Sequence, residues 1–152
     1  MGHDIASPAL AKAGRDRTEW AGQSMPVLRS IAERFARERP LEGRTVAGCM
    51  HVTTETANLV AALVAGGARV SLCASNPLSK QDDVAAHLVS HLGVEVYAVR
   101  GEDNDRYYEH IRAALRSRPS ITLDDGADLV STVNRERTDL IDGLLGDRKS
   151  VV

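Results

Sequence analysis

The spacing of apolar and polar positions changes along the chain, and each change marks a new element. Ser7 followed by Pro8 opens a helix, since the serine can cap and a proline needs no amide partner in the first turn. Met25-Pro26 restarts the chain. Leu28, Ile31, Ala32 and Phe35 then recur at helical spacing, so a second helix carries one apolar stripe that must be buried. Pro40 ends it. Thr45–Met50 is a short apolar run of strand length, followed by a helical pattern over 53–65 and a Gly66-Gly67 terminator. The unit recurs, with a strand over 69–72 and a helix over 81–91 that Ser79 caps with Asp82 in a Ser-x-x-Asp arrangement. A strand over 95–99, a helix over 105–116 behind Asn104, a strand over 121–123 and a helix from Asp128 to about Arg137 complete the series, with further helical pattern to Leu145.

Strands that alternate with helices pair in parallel, because each return needs a crossover and the crossover is nearly always right-handed. The expected fold is α/β: an open parallel sheet with helices on both faces, Rossmann-like or flavodoxin-like, preceded by two N-terminal helices. Such sheets bind ligands beyond the carboxyl ends of their strands. Polar residues collect there: His51 to Thr56 after the first strand, Asn76 to Asp83 after the second, Gly101 to Asn104 after the third, and Asp124-Asp125-Gly126 after the fourth. Thr53, Ser79 and Asn104 as caps and the aspartates as turn formers would explain many of these. Capping does not call for a histidine. His51 can exchange a proton near neutral pH, and Asp125 beside Asp124 either has a raised pKa or grips vicinal hydroxyls.

Composition narrows the partners. A formal net charge of -2 without a basic block speaks against nucleic acid, and no apolar run nears the roughly 20 residues of a membrane span. A cytoplasmic protein is expected. Cys49 and Cys73 read as reduced buried thiols. No metal is expected: His87 and His91 have ligand spacing, but the segment lacks the Glu of the zinc-protease pattern and reads as a solvated helix face. No dinucleotide or phosphate-loop fingerprint occurs.

Three motifs stand in order: Gly48-Cys49-Met50-His51-Val52-Thr53-Thr54-Glu55-Thr56-Ala57, Ser75-Asn76-Pro77-Leu78-Ser79-Lys80-Gln81-Asp82, and Leu123-Asp124-Asp125-Gly126-Ala127-Asp128-Leu129. With Trp20-Ala21, Met25-Pro26-Val27-Leu28 and Arg100-Gly101-Glu102-Asp103, they make the chain resemble the adenosylhomocysteinases from about Asp4 to Gly146. The resemblance implies a hydrolase of the S-adenosylmethionine cycle and one-carbon metabolism that splits S-adenosylhomocysteine reversibly into adenosine and homocysteine. It further implies tightly held NAD, which oxidises the ribose 3′-hydroxyl so that homocysteine leaves by elimination before water adds and the ketone is reduced. Carried onto matching positions, Thr53 and Asp125 contact the ribose hydroxyls, Glu55 and Thr56 face adenine, and His51 assists proton transfer at the 5′ position. His51 and Asp125 are thus the catalytic candidates. A homotetramer is implied for full-length relatives.

Two departures qualify the resemblance. Lys80 stands where many relatives have Thr. In the family, the segment matching Leu144-Leu145-Gly146 leads into a Glu-Glu-Thr-Thr-Thr-Gly motif, whereas here Asp147-Arg148-Lys149-Ser150-Val151-Val152 follows. Those six residues match one reading frame of a common sequencing adapter. The expected organisation is therefore the N-terminal part of a substrate-binding domain over 1–146, a non-native tail over 147–152, and an absent NAD-binding domain. Such a fragment is expected to be inactive alone and to leave apolar surface uncovered. A free-standing nucleoside-binding module is the alternative. A receiver domain of similar topology would need an acidic pair where His51 stands.

Overall fold

In the computed structural model, which describes residues 2–149, six strands form one parallel sheet in the order β1-β4-β3-β2-β5-β6. The strands are β1 Asp4–Ile5, β2 Thr45–Met50, β3 Arg69–Ala74, β4 Glu95–Ala98, β5 Ile121–Asp124 and β6 Gly146–Lys149. The helices are α1 Ala11–Gly22, α2 Pro26–Glu38, α3 Thr54–Ala65, α4 Asp82–Leu92, α5 Asn104–Leu115 and α6 Asp128–Glu136. Alternate residues of the central strands face opposite ways, as the pleat requires. Val46, Leu72 and Val96 enter one core with Val60 of α3 and Leu88 of α4. Ala47, Cys49, Cys73 and Tyr97 enter the other with Ile111 of α5 and Leu129 of α6. Each fully buried Leu or Val contributes about 1.5–3 kcal/mol of transfer free energy, so two such cores hold helices on both faces.

Several boundaries fall where the periodicity puts them, and the exceptions have physical causes. Ser7 caps as expected, accepting from the Ala9 amide at 3.3 Å, although the first turn is a 3₁₀ helix over Pro8–Leu10 that leads into α1. The α2 stripe is not buried: Leu28, Ile31 and Phe35 are half-covered, because α3 packs along only part of it. The expected caps are corrected. The Ser79 hydroxyl accepts from no amide of α4, which begins after Gln81, while Asp103, not Asn104, caps α5 by accepting from the Arg106 amide at 2.9 Å. Residues 138–143, read as continuing helix, form a 3₁₀ segment that runs into β6. The last three residues of the expected tail, 150–152, lie outside the described residues.

Cys49 and Cys73 are free, buried and paired in register across β2 and β3. Each thiol approaches a carbonyl of the facing strand, Ala74 at 3.6 Å and Gly48 at 3.5 Å. The solvated-face reading holds for His91, which is exposed, and is corrected for His87. His87 is 6 % exposed under α1, and its Nδ1 lies 3.1 Å from His91 Nδ1, because α4 packs closely against α1.

The chain leaves β2 for β3 and β4 on one side, then returns to β5 on the other. The order reverses between β2 and β5, which is where loops diverge and open a crevice at the strands' carboxyl ends.

Candidate functional site at the switch point

The register sets Cys49 of β2 beside Asp124 of β5, so the loops that follow the two strands start side by side. Asp125 is tied there by its amide, which donates to the Cys49 carbonyl at 3.0 Å. Its neighbour is structural. Asp124, fully buried, accepts from the amides of Gly126, Ala127 and Val130 at 2.9–3.1 Å, which holds the turn into α6 in place. Ala127 occupies the left-handed region at φ 70°, a conformation that these bonds compel in a non-glycine residue. The acidic pair is thus divided into one anchor and one presented carboxylate.

After β2, Val52 is fully buried and bridges to Lys80. Its amide donates to the Ser79 carbonyl at 3.1 Å, and its carbonyl accepts from the Gln81 amide at 2.9 Å. The flanking residues are the polar ones: His51 is exposed and Thr53 half-buried. Thr53 stands at the start of α3 in extended conformation without capping it through its side chain. The nearby Thr53 hydroxyl and Glu55 backbone amide hold the Glu55 carboxylate below the usual carboxylate range.

A cleft of about 820 Å³ opens between α2, α3 and the strand ends. Met25, Glu55, Thr56, Leu59, Asp125 and Arg148 stand in its wall. Its size suits a small organic ligand, and its lining, mostly apolar with few polar groups, can take a flat ring while carboxylates accept from hydroxyl or amino groups. The structure brings Glu55, Thr56 and Asp125 together. His51 and Thr53 lie on the adjoining loop and not in the wall. Arg148 Nη1 meets Asp125 Oδ1 at 3.0 Å, a contact with no signal in the local sequence. Met25 reads in the sequence as the restart of the chain before α2, and Leu59 only as a position in the helical pattern over 53–65. Asn76 forms a turn, its side-chain oxygen accepting from the Leu78 and Ser79 amides at 2.9 and 2.7 Å.

Among the described residues no group of three or more His, Cys, Asp or Glu side chains is placed to hold a metal ion. No described helix is long and apolar enough to cross a membrane.

Residues 2–149 match the family model for S-adenosyl-L-homocysteine hydrolase. The chain is 52% identical over 146 residues to an adenosylhomocysteinase of Aquifex aeolicus, covering 96% of this chain and 35% of that protein. It is 51% identical over 144 residues to an adenosylhomocysteinase of Gloeothece citriformis, covering 95% of this chain and 34% of that protein. An S-inosyl-L-homocysteine hydrolase of Methanopyrus kandleri is 50% identical over 142 residues, 93% of this chain and 33% of its own length. The chain therefore spans about a third of the length of the curated relatives it matches.

Proposed function

The chain belongs to the S-adenosyl-L-homocysteine hydrolase family, and from that premise we propose that the full-length protein hydrolyses S-adenosyl-L-homocysteine reversibly to adenosine and L-homocysteine. The observation that carries the reading is the convergence of Glu55, Thr56 and Asp125 in one largely apolar cleft at the switch point. Glu55 and Thr56 face the adenine, where an ionised carboxylate accepts from an amino group. Asp125 and Thr53 hold the ribose hydroxyls, and His51 moves a proton at the 5′ position. Residues 1–146 are the N-terminal part of the substrate-binding domain in this reading, with 147–152 a non-native tail and the whole protein a homotetramer.

The family uses NAD, but the residues present do not fit it. In this type of sheet the turn after the first central strand grips a pyrophosphate through free backbone amides next to glycines. Here that turn is His51-Val52-Thr53. The Val52 amide is occupied by the Ser79 carbonyl and the Thr53 amide by the His51 carbonyl at 3.0 Å. In this reading the cofactor is held by the part of the full-length protein that these residues do not cover.

For the 152-residue chain alone the reading is nucleoside binding without turnover. Glu55, Asp125 and Arg148 are the titratable side chains in the cleft wall among the described residues, and Arg148 engages Asp125. The test of the hydrolase reading is to recover the locus from source DNA, express its full product and follow thiol release from S-adenosyl-L-homocysteine. Release is the expected result; a genuine stop codon after Val152, or a full-length product that releases no thiol, would overturn the reading.

A further inference from the structure

Beside the His51–Thr53 loop begins a row of charges that runs from buried Lys80, Glu102 and His110 to partly exposed Asp4 and Arg106. Lys80 Nζ is 2.5 Å from Glu102 Oε1, with both side chains fully buried. Neither atom has another hydrogen-bond partner. Glu102 Oε2 lies 2.9 Å from His110 Nδ1, and His110 Nε2 lies 2.9 Å from Asp4 Oδ2. Arg106 closes the row on Asp4 at 2.8 Å. The signs alternate from Lys80 to Arg106 when His110 is protonated.

A buried ion pair is a poor way to add stability, because desolvating two charges cancels most of their attraction and an apolar pair of the same volume does as well. Its location is more informative. The Lys80 backbone sits between the two hydrogen bonds that clamp Val52, from the Val52 amide to Ser79 and from the Gln81 amide to Val52. The other Glu102 oxygen accepts from the Val99 amide at 3.2 Å, and the Gly101 amide donates to the Pro77 carbonyl at 3.0 Å. The loops after β2, β3 and β4 are therefore joined through one side-chain pair, and His110 extends the connection to β1.

We propose that Lys80, Glu102, His110 and Asp4 form a positioning relay that sets the His51–Thr53 loop and ties its placement to strand β1. The functional consequence rests on reading that loop as part of the nucleoside site; the relay geometry does not. His110 is faced by Glu102 from the β4–α5 loop, Asp4 from β1, the Tyr97 ring of β4 at 6.2 Å between centroids, and Arg106 on its own helix. Lys80 acts on it through Glu102. Loss of the His110 proton breaks the alternation and leaves the Glu102 carboxylate to Lys80 and the Val99 amide. The effect passes to Val52 through the Lys80 backbone.

Amide hydrogen exchange by mass spectrometry on the whole 152-residue chain tests this, with imidazole C2 exchange reporting His110 protonation in the same samples. In the wild type, the peptides containing Val52 and Gln81 are expected to lose protection with the same midpoint as His110, relative to a β5 control peptide. Glu102→Gln is expected to speed exchange at both positions by at least about tenfold over that control and to lower the His110 midpoint. Lys80→Met combined with Glu102→Gln restores overall stability but not the shared titration. Val52 and Gln81 peptides indifferent to His110 in the wild type would overturn the proposal, whatever the variants do. So would uniform acceleration of every peptide in Glu102→Gln, the signature of a merely stabilising pair. Adenosine titration of these samples reads the nucleoside assignment separately: shared titration without adenosine binding supports the relay and counts against the nucleoside site alone.

Discussion

Asp125 and Arg148 meet at 3.0 Å, so the carboxylate presented at the switch point is engaged by the neighbouring edge strand. Arg148 is mostly exposed and Asp125 partly so, which makes the contact a surface ion pair of about 0.2–1 kcal/mol. Arg148→Ala is therefore expected to strengthen adenosine binding by about two- to fivefold, by freeing Asp125 for hydroxyl groups. Titration of the variant beside the wild type checks this; unchanged or weaker affinity would mean that Arg148 does not compete for the carboxylate.

Stability should depend on pH in both directions. Burial opposes the charged form of His110, but its hydrogen bonds to Glu102 and Asp4 outweigh burial and raise its pKa. That contribution is complete below the ordinary imidazole value and is lost as pH rises through the raised one. For Glu102 and Asp4, burial pushes upward, but hydrogen bonds from His110, with Lys80 and Arg106 respectively, lower both groups. Their contribution is present above the ordinary carboxylate range and is lost as pH falls through the lowered values. The melting temperature should peak between roughly pH 5 and 6.5, and His110→Asn should flatten the alkaline arm. A wild-type profile that keeps rising above that window would contradict the charge assignment.

Packing sets a third expectation. A Cβ added at Gly14 of α1 would lie 1.9 Å from the Asp83 carbonyl oxygen at the start of α4. Backbone cannot retreat as a flexible side chain can, so Gly14→Ala should destabilise the chain by about 1–3 kcal/mol despite the better helix propensity of alanine. Chemical denaturation measures it; a neutral or stabilising result would mean that α1 and α4 are not in close contact.

The elements with strong periodicity were readable from sequence. Val46, Leu72 and Val96 lie in apolar runs bounded by turn residues, and the parallel sheet follows from their alternation with helices. Strand β1 was not readable, since Asp4–Ile5 is too short to show a period and forms only because β4 offers an edge. Strand β6 was hidden by its charges, Asp147 and Arg148 being tolerated at an edge. Caps were misassigned because Ser79 and Asn104 satisfy the local pattern, whereas the observed cap of α5 is one residue earlier. The site was half readable. Residues that follow strands could be placed at one end of the sheet, which put Glu55, Thr56 and Asp125 together. Contacts between distant segments, such as Lys80 with Glu102 or Asp125 with Arg148, have no local signature.

The central claim, a nucleoside half-site at the switch point, is tested most directly by calorimetric titration of adenosine into the 152-residue chain, its Thr53→Ala variant and its Asp125→Ala variant. The expected result is saturable binding in the wild type and a loss of at least about tenfold in each variant, the weight of one buried hydrogen bond to a charged or well-placed acceptor. Binding unaffected by either substitution, or none in a folded wild-type chain, would contradict it.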